Sequence, residues 1–219
     1  MKAVSLFSGG KDSFFSALIA MEQGFDVQYA ITIDPEEYSM MFHFPNTSAA
    51  DLSAKLLGLN VKHVKERDFR TSLENARSEG VEAVISGAIA SDYQKTRIER
   101  ICTELGMVSY TPIWRKSQYL LLKEMISAGI EAIVVSVSAE GLGEEDLGRK
   151  IDKKFLEKMS DIDRRIGINV AGEGGEYETF VKGLAGAGEI DLEKVSKHWK
   201  GSGGYLLIES GLFVRHERE

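Results

Sequence analysis

The sequence predicts an α/β fold followed by a smaller α+β domain, and two features of the 219-residue chain support this prediction. First, short apolar segments alternate with helical segments through the first two-thirds of the chain. Second, the helical segments end at glycine, which readily adopts the left-handed conformation that closes a helix. The closing glycines are Gly24, Gly58, Gly80, Gly106 and Gly129. Strands that alternate with helices form right-handed βαβ units and a parallel sheet.

The first domain is predicted to contain a Rossmann-like parallel five-stranded sheet with helices on both faces. Its apolar segments are continuous and rich in Val and Ile, which indicates burial on both faces of the sheet. The predicted strands are 2–7, 27–33, 61–64, 83–86 and 107–110, and a further apolar strand, 132–137, follows Gly129.

The pattern changes near residue 113, and we therefore assign residues 1–124 to the first domain and 125–219 to the second. A helix is predicted over 117–127 and another over 144–159. A terminal antiparallel hairpin, with strands 205–208 and 212–214, is predicted around Ser210-Gly211. The absence of Pro-rich or low-complexity linkers predicts that the two domains pack tightly.

Composition excludes several classes of protein. The chain carries 34 acidic and 27 basic residues, a formal net charge of −7, so we expect no stable nucleic-acid binding. No apolar run approaches the ~20 residues that cross a bilayer, and we expect a cytoplasmic protein without membrane association. The single cysteine, Cys102, excludes an intrachain disulfide and a Cys-rich metal site, and its apolar neighbours predict a core position. The oligomeric state is left open, a homodimer included.

A candidate phosphate-binding loop follows the first strand. It consists of Ser8, Gly9, Gly10, Lys11, Asp12 and Ser13, and it leads into a helix over 14–23. Glycines let the backbone approach an anion, and the start of a helix presents N–H groups and the positive end of its dipole. Lys11 adds a positive charge. Asp12 repels phosphate unless it caps the helix or binds a cation, which makes it a candidate Mg²⁺ ligand, since Mg²⁺ takes one or two protein carboxylates.

The loop has neither the Walker A spacing nor the dinucleotide G-x-G-x-x-G spacing. It resembles the pyrophosphate loop of the ATP pyrophosphatase superfamily. This resemblance implies an adenine nucleotide alpha hydrolase-like fold and cleavage of ATP to AMP and pyrophosphate, with adenylation of a substrate oxygen. The loop does not select the substrate. Two alternatives stay open: an enzyme that adenylates tRNA or a small molecule, and a non-catalytic protein that binds adenine nucleotides.

Further segments are similar to the diphthine–ammonia ligase family in its short archaeal-type form. They are 41–43 with Asn46, 87–94, 97–99, 111–114, 141–142 with 147–149, and 172–181. The resemblance extends over essentially the whole chain, and 172–180, which reads Gly-Glu-Gly-Gly-Glu-Tyr-Glu-Thr-Phe, is its most specific element. It implies amidation of diphthine, the modified histidine of translation elongation factor 2, through an acyl-adenylate. Because the chain shows no glutaminase-like segment, we expect free ammonia as the nitrogen source.

Ligands of open α/β sheets bind beyond the carboxyl ends of the strands, near the point where the strand order reverses. We expect the backbone of Thr32 and Ile33 to bind adenine, and Gly87 and Ala88 to let the ribose or the α-phosphate approach closely. His43 is expected to hydrogen-bond the phosphates or the acyl-adenylate. The structural alternatives are an ordinary turn at Gly87 and a core histidine at position 43.

Lys95 and Arg97 follow the Gly87 turn on a predicted helix, where they either lean toward the triphosphate or face solvent. His63 lies in no motif, and sequence analysis assigns it no functional role.

Three glutamates, Glu173, Glu176 and Glu178, lie in the glycine-rich segment. Diphthine carries a trimethylammonium group, which carboxylates attract and aromatic faces contact, and Tyr177 and Trp114 are candidates for those faces. One glutamate is expected to hold ammonium and accept its proton, since only neutral ammonia is a nucleophile. Lys11, Asp12 and the three glutamates are therefore the candidate catalytic residues, in a site expected to form across the domain cleft. The structural alternative is an exposed turn with solvated glutamates.

Overall fold

The computed structural model describes residues 1–34 and 46–216, and it divides the chain into two units, Met1–Trp114 and Arg115–Glu219. The boundary between the units, after Trp114, lies earlier in the chain than the boundary predicted after residue 124. The helix that begins at Gln118 lies in the second unit, where the Gln118 side chain donates to Asn169 Oδ1 (2.9 Å) and accepts from the Ala171 N–H (2.9 Å). No helix among the described residues is long and apolar enough to cross a membrane.

The first unit contains a five-stranded sheet with the order β3-β2-β1-β4-β5. Its strands are β1 (Lys2–Leu6), β2 (Asp26–Asp34), β3 (Val61–Lys65), β4 (Ala83–Ile85) and β5 (Val108–Tyr110). Its helices are α1 (Lys11–Glu22), α2 (Ala50–Lys55), α3 (Phe69–Ser78) and α4 (Asp92–Glu104). All pairings in this sheet are parallel, so the predicted parallel five-stranded sheet is confirmed.

The five predicted helix-closing glycines all have positive φ, between 64° and 88°. Gly24 shows why the residue type matters, because a Cβ built there would meet no heavy atom within 4 Å. The left-handed backbone conformation, and not crowding, is therefore what requires glycine at this position.

The central strands β1 and β4 of the first unit are buried on both faces of the sheet. In β1, Val4 packs with residues of α3 and α4, including Leu73 and Cys102, whereas its neighbour Ala3 packs with Ala20 of α1 on the opposite face. Cys102 is 1% exposed, which confirms the predicted core position. Burial, with a further contribution from the Glu99 carboxylate, raises the pKa of the Cys102 thiol to about 11.

The second unit contains an antiparallel sheet and two α-helices, in agreement with the predicted α+β domain. Its elements are α5 (Gln118–Ser127), β6 (Ile130–Val137), α6 (Lys153–Ile166), β7 (Tyr177–Leu184), β8 (Gly188–Lys200) and β9 (Gly203–Arg215). The strand order is β6-β7-β8-β9. The sheet closes on itself because β9 pairs back with β6 at Ser136↔Tyr205 and Val137↔Gly204.

The predicted hairpin turn at Ser210-Gly211 is wrong. Strand β9 runs without interruption through these residues, and the chain reverses at residues 201–202, where Gly201 has φ +64°. Ser210 pairs with Lys194 of β8, next to shifts in the strand register. The small residues at 210–211 therefore accommodate an irregular stretch of a long hairpin and not its turn.

The helix predicted over 144–159 is also wrong at its start. Residues Glu144–Asp146 form a single 3₁₀ turn, and α6 begins only at Lys153. Asp152 caps the start of α6, where its side chain accepts a hydrogen bond from the Phe155 N–H (2.9 Å). Asp146 is fully buried, where it pairs with Lys158 (2.6 Å) and Arg149 (3.1 Å). Although burial raises the pKa of this carboxyl, Lys158 and the other donors outweigh that effect and lower it.

Candidate functional site

The candidate phosphate loop lies between β1 and α1, and two serines hold its shape. The Ser8 N–H donates to Ser13 Oγ (3.1 Å), and the Ser13 hydroxyl donates to the Gly10 carbonyl (3.0 Å). Gly9 has φ +79°. Gly10 occupies the N-cap position of α1 and, having no side chain, supplies no capping oxygen to the first turn. The start of the helix is therefore suited to bind an anion.

The Lys11 side chain is 4% exposed and its Nζ lies 2.8 Å from Asp12 Oδ2. A buried ammonium beside the positive end of a helix requires a negative partner, which Asp12 supplies. Among the residues that the structure describes, no cluster of three or more His, Cys, Asp and Glu could hold a metal ion. A metal at Asp12 would therefore take its other ligands from phosphate and water, an arrangement that Mg²⁺ accepts.

Gly87 brings the end of β4 against the phosphate loop. The strand order reverses between β1 and β4, because β2 and β3 lie on one side of β1 and β4 and β5 on the other. A Cβ at Gly87 would lie 2.7 Å from the Ser13 nitrogen and 2.8 Å from the Asp12 carbonyl carbon. Gly87 therefore permits close packing against the first turn of α1, a role that sequence analysis did not foresee. Ala88 follows it and is 6% exposed.

The end of β2 lies beside the start of the same loop. The buried Thr32 hydroxyl donates to the Phe7 carbonyl (2.6 Å). The last pair between β1 and β2 is Leu6↔Ile31, so Ile33 extends past the end of β1. The structure thus brings the loop, Thr32 with Ile33, and Gly87 with Ala88 to one edge of the sheet. His43 lies outside the described residues.

His63 stands at the same edge and was missed by sequence analysis. Its Nε2 lies 2.6 Å from Asp51 Oδ2 of α2, and its Nδ1 lies 3.3 Å from Asp34 Oδ1 at the end of β2. Burial lowers the pKa of His63, but the hydrogen bonds with Asp51 and Asp34 outweigh this effect and raise the pKa above its usual 6.5. Both partners are remote in sequence, so only the pairing of β3 with β2 could have indicated the cluster.

The glycine-rich stretch 172–180, which we call the acidic segment because it contains three glutamates, is ordered by one of them. Glu176 Oε1 accepts hydrogen bonds from the backbone N–H (2.8 Å) and the side-chain amide (2.9 Å) of Asn169. Glu176 Oε2 accepts from the Gly174 N–H (2.8 Å). These donors indicate that Glu176 fixes the loop conformation. Glu173 and Glu178 are half-buried on either side of it.

The aromatic contact predicted for Tyr177 is wrong. Tyr177 is 1% exposed, its hydroxyl donates to the Val170 carbonyl (2.8 Å), and its ring packs edge-on against Phe155. As the first residue of β7 it points into the core, so its face is closed to a substrate cation. In the first unit, Lys95 Nζ lies 5.2 Å from the centre of the Trp114 ring.

Lys95 and Arg97 both engage carboxylates. Lys95 pairs with Glu99 one helical turn away, and Arg97 Nη1 lies 3.4 Å from Glu66 Oε1. These ion pairs favour a structural position for both side chains over a role in binding the triphosphate.

A phosphate loop at the strand-order reversal of a parallel α/β sheet defines the class of this protein, that of nucleotide-binding α/β proteins. Two family models match the chain in order: the diphthamide synthase N-terminal domain at residues 1–109 and the diphthamide synthase C-terminal domain at residues 117–214. The chain belongs to the diphthamide synthase family.

Named relatives agree with this assignment. A diphthine–ammonia ligase from Danio rerio is 32% identical over 208 residues, which cover 82% of this chain and 81% of the relative. A diphthine–ammonia ligase from Schizosaccharomyces pombe is 31% identical over 83% of this chain, but the match covers 34% of that longer protein. A solved structure, described as a predicted subunit of tRNA methyltransferase from Methanocaldococcus jannaschii, aligns over 84% of this chain and 98% of its own with 20% identity and a TM-score of 0.47.

Proposed function

We propose that this protein catalyses the ATP-dependent amidation of diphthine on translation elongation factor 2, with ammonia, to give diphthamide, AMP and pyrophosphate. The observation that carries the proposal is the match of both diphthamide synthase domains, in order, along one chain. This match favours diphthine over tRNA or a small molecule as the adenylated substrate, and it favours a ligase over a nucleotide sensor. The reaction belongs in the cytoplasm, with the protein-synthesis machinery.

The chemistry begins with the substrate carboxylate, which is a poor acyl donor. One of its oxygens attacks the α-phosphorus of ATP, the bond between that phosphorus and the bridging oxygen to the β-phosphate breaks, and pyrophosphate leaves. Ammonia then attacks the carbonyl carbon of the acyl-adenylate, loses a proton, and displaces AMP. Charge accumulates on the departing pyrophosphate, so preorganised positive groups beside it lower the barrier.

The first unit supplies those groups. The loop residues Ser8–Ser13 bind the phosphates through N–H groups and hydroxyls, and the buried Lys11 ammonium lies at the start of α1. Mg²⁺, when bound, would offset phosphate charge, and Asp12 is the residue that would hold it. The backbone of Thr32 and Ile33 binds adenine, which the extension of β2 beyond β1 supports. Gly87 and Ala88 let the ribose or the α-phosphate approach closely, and His43 hydrogen-bonds the phosphates or the acyl-adenylate.

The second unit supplies negative charge for the cations of the reaction. Glu173 and Glu178 attract the trimethylammonium group of diphthine and the ammonium ion, and one of them accepts the proton that leaves ammonium. The order that Glu176 imposes on the loop supports this division of roles, since its own oxygens already accept three hydrogen bonds.

The test is a reconstituted reaction. The purified protein is incubated with ATP, Mg²⁺, ammonium and elongation factor 2 that carries diphthine, and AMP, pyrophosphate and the acid-to-amide mass change are measured. We expect one AMP for each amide formed, and no amide when ATP, ammonium or the diphthine group is omitted. Adenylation of tRNA in place of elongation factor 2, or AMP formation at the same rate without any acceptor, would contradict the proposal.

A further inference from the structure

A groove of about 400 Å³ opens in the second unit, lined by residues of β6, β7, β8 and β9 and by Gly148 and Lys150. Its accessible apolar lining comprises Leu192, which is half-buried, and Val195, which is 44% exposed. Three lysines also line it, Lys150, Lys182 and Lys197, against a single acidic residue, Glu131. We call this feature the lysine groove. An apolar lining with excess positive charge suits a ligand that carries both apolar and acidic groups.

The positive charge of the lysine groove is only partly neutralised from within. Lys150 Nζ lies 2.7 Å from Glu131 Oε1, so these two charges offset each other. Lys182 and Lys197 form no ion pair within the part of the chain that the structure describes. In a protein of net charge −7, two lysines beside an apolar surface are a local exception to the overall charge.

Irregularities in the sheet place residues at this groove. Glu131 pairs with Gly183 and the next residue, Ala132, pairs with Val181, so Lys182 is the extra residue of a bulge in β7. The pairing of β8 with β9 also shifts just after Leu192, another residue of the groove. Bulges redirect side chains and are frequent beside binding sites. The direction of Lys182 is therefore set by the backbone.

The lysine groove is close to the acidic segment along the same strand. Glu178 and Lys182 both belong to β7. At about 3.3 Å per residue, the four-residue separation corresponds to about 13 Å. A protein that presents a modified side chain to Glu178 is therefore large enough to reach the lysine groove with its neighbouring surface.

We propose that the lysine groove docks an acidic, partly apolar segment of the protein substrate; this inference rests on the proposed function. Apolar side chains of the segment pack on Leu192 and Val195, and its carboxylates pair with Lys182 and Lys197. Complementary charge steers association and fixes the register of two surfaces. It would also oppose the repulsion that the net negative charge of the ligase exerts on an acidic partner.

The test is direct binding of diphthine-bearing elongation factor 2, measured by calorimetry without ATP. The charge-reversed variant K182E/K197E is compared with the wild type and with K123E/K200E. The control makes the same charge change at exposed lysines of the same unit that lie outside the groove. We expect the Kd of K182E/K197E to rise about tenfold or more, the control to stay near the wild type, and added salt to weaken wild-type binding most.

Catalysis supplies a second measurement. K182E/K197E should show a raised KM for the protein substrate, an unchanged KM for ATP, and wild-type kcat/KM toward a short diphthine-containing peptide without acidic residues. Equal Kd values for both double variants, or no binding by the wild type, overturn the docking site. If inorganic phosphate binds the wild type but not K182E/K197E, and both bind the protein substrate with the same Kd, the groove is a small-anion site instead. A wild type that binds but does not amidate refutes the proposed function and leaves the docking result to be judged by Kd.

Discussion

The two units build their candidate sites in opposite ways. In the first unit, the proposed anion site is formed largely by backbone: glycines at 9, 10 and 87, the start of α1, and one buried lysine. In the second unit, the proposed cation site depends on carboxylate side chains in a glycine-rich loop. Backbone N–H groups bind anions wherever a helix begins, but attraction of an organic cation requires side-chain charge.

The two loops share close glycine packing but differ in the side chains that hold them. Close packing of Gly87 fixes the phosphate loop without any substrate. The acidic segment has close glycine packing too, since a Cβ at Gly172 would lie 2.8 Å from the Tyr177 carbonyl oxygen, and Glu176 adds three hydrogen bonds that it accepts from Asn169 and Gly174. One of the three glutamates therefore has a structural role, and Glu173 and Glu178 stay the candidates for the proposed chemistry.

The largest effect is expected at Lys11. Lys11→Ala removes the buried ammonium beside the departing pyrophosphate, and the rate of AMP formation should fall by ~10²–10³, or about 3–4 kcal/mol of transition-state stabilisation. Initial rates at saturating ATP provide the measurement, and Lys55→Ala on α2 is the matched control. A near-normal rate for Lys11→Ala would show that the anion site lies elsewhere in the protein.

Gly87→Ala and Gly24→Ala separate two reasons for a glycine, close packing at position 87 and a left-handed backbone conformation at position 24. The new Cβ would meet the Ser13 nitrogen at 2.7 Å, so the phosphate loop must shift, at a cost of about 1–3 kcal/mol, and ATP affinity should fall with stability. Gly24→Ala is the control, since it introduces only the strain of a positive φ, about 1 kcal/mol. Urea unfolding and ATP titration of both variants are compared. Unchanged ATP affinity in Gly87→Ala would show that the loop is not held in this way.

Glutamate variants test the division of roles in the second unit. Glu173→Gln and Glu178→Gln should retain stability and ATP affinity, and at least one should raise the KM for ammonium or diphthine by about tenfold. Glu176→Ala should instead lose about 1–3 kcal/mol of stability, because it leaves N–H donors of Asn169 and Gly174 unpaired. Steady-state kinetics and urea unfolding separate the two outcomes. Collapse of ATP affinity in the first two variants would place the acidic segment in the nucleotide site.

A pH-dependent contribution to stability is expected from His63. Because its pKa is raised in the folded protein, this contribution is complete below the unfolded value of about 6.5 and is lost as the pH rises through the folded value. His63→Gln should therefore lower the Tm at acidic pH and match the wild type at alkaline pH. Asp51→Asn removes one of the carboxylates that raise the pKa of His63, so in that background His63→Gln should lower the Tm less at acidic pH. A constant offset across the whole pH series would rule out titration of His63 as its cause.

The smallest effect on activity is expected at Cys102. The proposed chemistry has no thiol step and the thiol is buried with a pKa of about 11, so Cys102→Ala should keep the wild-type kcat. The cavity left in the core should cost about 1 kcal/mol of stability. Amide formation and the unfolding midpoint are the measurements. A folded but inactive variant would require a thiol mechanism.

Local signals in the sequence predicted most of the first unit. A glycine that ends a helix and an apolar run that begins a strand are adjacent in the chain, and the phosphate loop is continuous, so each is visible without tertiary information. Gly87 was identified as a site residue, but its packing against Ser13 depends on two segments that only the fold brings together. The His63 cluster was missed for the same reason.

The second unit was less predictable because tertiary contacts override its local patterns. Ser210-Gly211 has turn composition but lies within β9, and the charged segment at 144–146 turns around the buried Asp146 instead of continuing as a helix. Tyr177 is an aromatic residue of the kind that contacts organic cations, yet strand pairing directs its side chain into the core. In each case contacts outside the local pattern decide the structure.

The long β8–β9 hairpin has a consequence for local stability. Its two strands pair with each other at twelve positions, whereas β8 pairs with β7 at two positions and β9 pairs with β6 at two. Separation from the rest of the sheet therefore breaks few backbone hydrogen bonds, and the hairpin can open as a cooperative unit of its own. Amide hydrogens that join it to β6 and β7 should exchange with solvent before those in the centres of β6 and β7. Any partner seated against β8 would slow that exchange by holding the sheet closed.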